Sequence, residues 1–322
     1  MVEVDVGDDS AVAAGRRRAL ATGAAVGLDE LRQGQLAIVA TELATNMLKH
    51  GGGGKLLVGD AEGRVDLLAL DTGPGMTDVE QCIADGFSSA GTRGTGLGAV
   101  RRLAQTLHIA SWPGRGTAVL ASLGVVGDAD GIGGLSVAKR GEVACGDAWA
   151  RRANHAGSTL LVVDGLGHGA DAALAAHEAL RQFHRGTDAA PAELVQALHL
   201  AMRHTRGGAV GVARIESTAA TVAFAGLGNI AAALVTDGAP IRRLVSLGGI
   251  AGHNARKVQA FEYPIGDGVL IMHSDGIGTG WTPASYPGFT RLHPLLLAGL
   301  LYRDFARGRD DATVVVARTS RP

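Results

Sequence analysis

Glu42 and Asn46 stand four residues apart in a stretch of helical apolar periodicity, so both side chains project from one helix face. A carboxylate and an amide oxygen so placed can share Mg²⁺ and its waters, because that hard cation takes oxygen ligands and keeps part of its hydration shell. A solvated helix face shows the same spacing. Further on, Asp71-Thr72-Gly73-Pro74-Gly75 follows the apolar run 65–70, which sets the aspartate at a strand end. Its carboxylate could accept a hydrogen bond from an exocyclic amine such as that of adenine, while Gly73 and Gly75 let backbone approach a ligand closely. A tight Pro-Gly turn is the other reading. Gly94-Thr95-Gly96-Leu97-Gly98 then opens a helical stretch, whose free N–H groups and positive dipole end would face a phosphate. Each motif is weak alone, but the ordered trio recurs by chance far less often.

Asp164, Asp275 and Asp310 form a second set, each at the edge of an apolar run. Residues 160–163 end in Asp164-Gly165-Leu166-Gly167-His168-Gly169, residues 270–274 precede Asp275-Gly276, and Asp310-Asp311-Ala312-Thr313 leads into 314–316. A single Asp-Gly is commonly a turn. Three carboxylates at strand edges instead suggest one shared cluster, joined by the Gly165 carbonyl. Such a cluster would bind two divalent ions and turn a bridging water into a nucleophile toward a phosphoester.

The elements needed to position these groups are legible in outline. Helical spacing covers 11–26 and 31–49, with Leu36, Val39, Ala40 and Leu43 as the clearest stripe. Strand-like runs at 55–58 and 64–70 follow, then a glycine-rich loop, a helix over 97–107 and a strand over 117–123, which together describe one α+β layer. The polar, glycine-rich stretch within 126–134 reads as a flexible linker between domains 1–125 and 135–322. Beyond it, strands are expected at 142–145, 159–163, 210–215, 220–225, 230–235, 268–273 and 313–317, with helices at 170–183 and 191–205.

At 322 residues the chain exceeds the usual reach of one hydrophobic core, which supports two domains. Only 4% of residues are aromatic against 46% hydrophobic, so the cores must be aliphatic and tightly packed. A net charge of -1 provides no basic field for nucleic acid or an anionic membrane. Cys82 and Cys145 lie in no ligand-spaced pattern, which points away from a disulfide scaffold and toward a reducing compartment. The acidic residues 1–10 lack the flanks of a signal peptide, and 218–235 is broken by Gly226, Gly228 and Asn229. A soluble, cytoplasmic protein is the expectation.

With those motifs in order, residues 12–123 resemble the GHKL (Bergerat-type) ATPase superfamily, and within it the small serine kinases and anti-sigma factors of bacterial partner-switching systems. The likeness rests on Glu-Leu-Ala-Thr-Asn at 42–46, on the two glycine motifs, and on Gly114-Arg115-Gly116-Thr117. It implies that Asn46 coordinates Mg²⁺, Asp71 holds adenine, Thr117 supports the adenine end, Gly94, Gly96 and Gly98 wrap phosphates, and Glu42 is the general base. Arg93 would clamp a phosphate or be an ordinary loop arginine. Sensor histidine kinases share such a site behind a phosphoacceptor helix, and residues 1–41 contain no His.

Residues 135–318 resemble the type 2C metal-dependent protein phosphatases in their SpoIIE-like branch, on Gly146-Asp147, Asp-Gly-Leu-Gly-His-Gly, Ala-Gly-Leu-Gly-Asn at 225–229, Ser274-Asp275-Gly276 and Asp-Asp-Ala-Thr at 310–313. This implies that Asp164, Gly165, Asp275 and Asp310 contact two Mn²⁺ or Mg²⁺ ions, with Asp147 as a water-mediated or outer ligand. His168 would donate a proton to the leaving oxygen, steer waters, or serve the loop by hydrogen bonding. Asn229 stands where many relatives carry histidine, and Asp311 is assigned to a turn or to supporting the ligands.

The implied fold class is α+β: an N-terminal GHKL α/β sandwich followed by a type 2C phosphatase-like α-β-β-α sandwich. The implied function is a bifunctional regulator, an ATP-dependent protein serine/threonine kinase joined to a metal-dependent phosphatase, acting on STAS-domain antagonists or a related sigma-regulatory cascade protein. A nucleotide-binding partner module without kinase activity, fused to an active phosphatase, is the alternative. In a blander reading one of the two sites is vestigial.

Overall fold

A computed structural model of the chain describes residues 1–61, 63–83, 96–125, 131–154, 157–186, 188–216 and 220–319. Two units separate within it, Met1–Asp130 and Gly131–Pro322.

The first unit runs β1 (Val2–Val6), α1 (Asp9–Ala25), α2 (Glu30–Gly51), β2 (Gly54–Ala61), β3 (Arg64–Leu70), α3 (Val79–Ile83), α4 (Gly96–Leu103), β4 (Thr106–Ser111) and β5 (Thr117–Gly124). Its sheet has the order β1-β2-β3-β5-β4 and every pairing is antiparallel. Asp8 and Asp29 start the two long helices by accepting from the backbone N–H of Ala11 and Arg32. Gly52 stops α2 at φ 70°, a left-handed turn that glycine adopts without strain. The stripe Leu36, Val39, Ala40, Leu43 and Met47 of α2 is buried in a core shared with Leu56, Val65, Leu67 and Val119 from the sheet. On α1 the buried face is Gly15, Ala19 and Gly23; a Cβ at Gly15 would stand 2.8 Å from Leu56, and one at Gly23 would stand 2.8 Å from Leu36. Small residues there let the helix lie close on its neighbours.

The helix expected over 97–107 ends at Leu103, and Thr106–Ser111 pairs along β5. Leu107 and Ile109 alternate toward the core, so burial on a sheet edge wins over the helical reading of the same residues.

The second unit contains β6 (Ile132–Val137), β7 (Asp147–Asn154), β8 (Gly157–Gly165), α5 (Ala170–Arg185), α6 (Pro191–Ala201), β9 (Gly208–Glu216), β10 (Thr221–Leu227), β11 (Ala231–Thr236), β12 (Arg242–Arg243), β13 (Ser246–Leu247), β14 (Phe261–Pro264), β15 (Gly268–His273), α7 (Pro294–Phe305) and β16 (Ala312–Arg318). One sheet has the order β13-β10-β9-β8-β7, with β14 also on β10, and the other the order β12-β11-β15-β16-β6. Period-two alternation places the central strands between two layers. In β8, Leu161 and Val163 pack with Ala176, Phe183 and Leu198 of α5 and α6, whereas Leu160 and Val162 meet Leu270, Met272 and Val315 of the opposite sheet. Helix α7 covers β16 and β6, with Gly133 so close that a Cβ would stand 2.4 Å from the Leu295 nitrogen. The α-β-β-α sandwich follows, and the overall class is α+β as the sequence implied.

Two further sequence expectations differ from this arrangement, and one helix was not expected. Residues 142–145 form no strand: Glu142 N donates back to the Lys139 carbonyl in a turn, Asp311 takes the Gly146 N–H, and the ladder begins at Asp147. The expected linker 126–134 overlaps β6, whose Ile132, Gly133 and Gly134 pair with β16. Helix α7 was not anticipated: it is buried on nearly all sides, so no amphipathic stripe marks it. Among the described residues no helix is long and apolar enough to cross a membrane.

Candidate functional site

In the first unit, α2 carries Glu42 and Asn46 to the start of α4. A Cβ at Gly96 would stand 3.0 Å from Glu42 Oε2 and 3.1 Å from Asn46 Oδ1, so only a glycine leaves both side chains undisturbed. The amide nitrogen of Asn46 is buried and has no hydrogen-bond partner. Gly98, the third glycine of the motif, is buried in α4. Arg93 and Gly94 lie outside the described residues.

Asp71 emerges at the end of β3, where its Oδ1 accepts from the backbone N–H of Gly73 at 2.9 Å and of Thr117 at 3.2 Å. Thr117 is in turn bonded through its hydroxyl to Ser111 Oγ at 2.9 Å, and Ser111 Oγ accepts from Met76 N. Asp71, Gly73 and Thr117 are thereby locked into one small network. Gly73 touches the end of α2, since a Cβ there would stand 2.6 Å from the Gly51 Cα, and Gly75 takes φ 71° beside the Trp112 carbonyl. Close backbone approach, and not flexibility, is what these glycines permit. Ser111 was missed because its only sequence signal is its register opposite Thr117 in the β4–β5 ladder.

In the second unit, Asp147 and Asp164 are partners in the β7–β8 ladder, and Asp164 opens the glycine loop before α5. Asp147 is 4% exposed, and its Oδ2 has no hydrogen-bond partner. Its pKa is raised to about 7, chiefly by burial and in part by the Asp311 and Asp310 charges, against hydrogen bonds from Ser274 and Thr313 that lower it. Burial also pushes Asp164 up to about 8, followed by the negative charges of Asp147, Asp275, Asp310 and Asp311. The aspartates expected to cluster are thus close enough to act on one another.

They are not drawn into a closed cage. Among the described residues no three His, Cys, Asp or Glu side chains form a ready metal group. Asp275 Oδ2 accepts from Asn229 Nδ2 at 2.8 Å, and Asp310 Oδ1 accepts from the Asp311 N–H at 3.0 Å. Both of these carboxylates therefore already have a protein donor. The donor set nonetheless fits a hard divalent cation: it is all oxygen, anionic, and includes a buried carboxylate oxygen with nothing else to bind. Gly165 is pressed against the start of α5, where a Cβ would stand 2.3 Å from the Ala172 carbonyl.

Asp311 is 2% exposed and has a different task. Its Oδ1 accepts from Lys139 N at 2.8 Å and its Oδ2 from Gly146 N at 2.9 Å, which pins the loop leading into Asp147. His168 is half exposed, with Nδ1 2.7 Å from Glu142 Oε1, so the glycine loop and the 138–146 loop are tied together. Glu142 had no motif to reveal it. Asn229 bonds directly to Asp275, one of the carboxylates expected to hold metal.

The description "Histidine kinase-like ATPase domain" fits residues 7–123. Serine/threonine-protein kinase RsbT of Bacillus subtilis (strain 168) is 31% identical over 100 residues, which cover 30% of this chain and 75% of the relative. The chain belongs to the histidine kinase-like ATPase family. A chain from the bacterial stressosome, described as a modular system adapted to control secondary messenger signaling, is 29% identical with a TM-score of 0.55, covering 58% of this chain and 98% of that one. RsbX in complex with magnesium is 17% identical with a TM-score of 0.53 over 60% of this chain and 98% of its own length, a likeness of fold. Either share is more than residues 1–130 could supply, so both likenesses extend into the second unit. The histidine kinase-like ATPase domain thus contains Glu42, Asn46, Asp71, Gly73, Gly75, Gly96, Gly98 and Thr117, and is joined to a unit with the fold of RsbX.

Proposed function

We propose that the chain is a two-way partner-switching regulator: the first unit transfers phosphate from ATP·Mg²⁺ to a serine or threonine of a STAS-type antagonist protein, and the second removes it hydrolytically with Mn²⁺ or Mg²⁺. One observation carries this reading. Among the described residues two buried side-chain atoms lack a partner, Asn46 Nδ2 and Asp147 Oδ2, and one lies in each candidate site. Folded proteins rarely leave such atoms without a partner. Asn46 Nδ2 is a donor, so it suits an anionic oxygen of a ligand and leaves Oδ1 for Mg²⁺, whereas Asp147 Oδ2 is an acceptor that suits a cation. The kinship with a serine/threonine kinase supports the first half, and the likeness to a magnesium-bound structure supports the second.

In the kinase unit Glu42 would accept the proton of the acceptor hydroxyl, Asn46 would hold Mg²⁺, Asp71 would accept from the adenine amine with Thr117 beside it, and the backbone of Gly94, Gly96 and Gly98, with Arg93, would hold phosphates. In the phosphatase unit Asp164, the Gly165 carbonyl, Asp275 and Asp310 would hold the ions, with Asp147 completing the set. When bound, those ions supply charge neutralisation at the phosphoryl oxygens and acidify water. His168, fixed by Glu142, would orient waters or protonate the leaving oxygen.

Incubation with γ-labelled ATP and a STAS partner tests the first half: label should reach the partner and vanish with Glu42→Ala, while absence of label with wild type would leave a nucleotide-binding module. Manganese-dependent hydrolysis of a small aryl phosphate, lost in Asp164→Asn and Asp275→Asn, tests the second. Activity surviving both changes would remove the metal assignment.

A further inference from the structure

Beside the aspartate cluster lies a cavity of about 470 Å³ lined by Leu166, Asp171, Leu174, His204, Thr205, Arg206 and His253. Leu166 and Leu174 are 52% and 54% exposed, large apolar side chains left open to water on the walls of a concave site. The walls are held by structure independent of any ligand. Leu166 N donates to the Gly207 carbonyl at 2.9 Å, His253 Nε2 lies 2.9 Å from the Arg206 carbonyl, and Arg206 pairs with Asp171 at 2.5 Å. An open hollow whose exposed lining combines two leucines with a few polar groups is suited to take one side chain of a partner segment.

Its position decides the occupant. Leu166 is two residues beyond Asp164, so its backbone lies within about 7 Å of that carboxylate's. An extended segment that presents a phosphoserine to Asp164 can therefore reach this hollow with a side chain two or three residues away from the phosphorylated position. Resting on the phosphatase reading above, we propose that the cavity is the specificity subsite of the second unit, which takes an apolar side chain of the phosphoprotein two or three positions from its phosphoserine. The two leucines enclose that side chain, and the Arg206–Asp171 pair borders it, so an apolar residue is favoured over a charged one.

The test uses the full chain with Mn²⁺ and a set of alanine- and glycine-based phosphoserine dodecapeptides, each with a single leucine at one position from three before to three after the phosphoserine. Leucine at one favoured position should raise kcat/KM about tenfold, the gain expected from burying most of such a side chain. Leu174→Glu should abolish that gain and leave hydrolysis of para-nitrophenyl phosphate unchanged. Because Leu174 is an exposed helix residue, the variant folds; Leu174→Met, which should retain the preference, separates loss of fit from loss of fold. A wild type with no positional preference, a preference that survives Leu174→Glu, or equal loss on peptide and aryl phosphate would overturn the subsite. If wild type hydrolyses neither peptide nor aryl phosphate, the phosphatase reading itself fails.

Discussion

Asp147 and Asp164 stand directly opposite one another on adjacent antiparallel strands, with Asp147 almost fully buried and Asp164 held beside it at the strand end. Two like carboxylates in that position oppose each other's ionisation, and burial adds to the cost. The site is therefore electrostatically strained until a proton or a cation compensates it.

Stability of the metal-free protein should fall as pH rises. Folding raises Asp147 to about 7 and Asp164 to about 8 from an ordinary 3.8, so the folded state binds more protons than the unfolded one between those limits. The stabilisation is complete below about pH 4 and is lost as pH climbs through 7 and 8. Thermal unfolding in chelator should show a declining Tm of the second unit from pH 5 to 9, with Mn²⁺ restoring it most at the high end. A Tm that is flat, or that rises with pH, would contradict the burial of this pair.

Asp164→Asn should uncouple stability from activity. The amide removes one of the repelling charges, so the variant melts higher than wild type in chelator at pH 8, while Mn²⁺ no longer raises its Tm to the wild-type extent and aryl phosphate hydrolysis is lost. Differential scanning calorimetry with and without Mn²⁺ reads all but the last.

Asp311→Ala removes the acceptor for two backbone donors, Lys139 N and Gly146 N, at a buried position. Leaving both unsatisfied should cost about 2–4 kcal/mol, measured by urea denaturation. Manganese affinity should drop as well, because the pinned loop leads into Asp147. Unchanged stability would mean that the loop needs no such anchor.

Glu42→Gln keeps the shape of the side chain beside Gly96 but removes the base. Fluorescent ATP analogues should bind with near wild-type affinity, while transfer to a STAS partner falls about 10²–10⁴-fold. Weakened binding with unimpaired transfer would exchange the roles assigned to Glu42 and its neighbours.

Gly96→Ala places a methyl group 3.0–3.3 Å from Glu42 and Asn46. Nucleotide affinity should fall severalfold with little change in Tm, as read by titration of the same fluorescent analogue. A large loss of stability with intact binding would make that close approach a matter of packing alone.

Local chemistry was legible without coordinates wherever a function is written into contiguous residues. Asp71 to Gly75 and Asp164 to Gly169 announce a strand end, a close backbone approach and a helix start, because glycine freedom and strand periodicity act over a few residues. The α2 stripe was visible because helical periodicity likewise acts within one element. Where two periodicities were compatible with one sequence, as at 104–111, tertiary burial chose the strand, and α7 left no amphipathic signal because it is buried on most sides.

What only the tertiary structure decided are the relationships between distant segments. Asp311 serves backbone donors at 139 and 146, Asn229 bonds to Asp275, Glu142 holds His168, and Leu166, Leu174 and Arg206 share one hollow. No sequence spacing encodes such contacts. They arise because strands far apart in the chain end at the same edge of a sandwich, where burial and charge, both properties of the assembled fold, determine which carboxylates repel, which are stabilised by hydrogen bonds, and which are left without a partner.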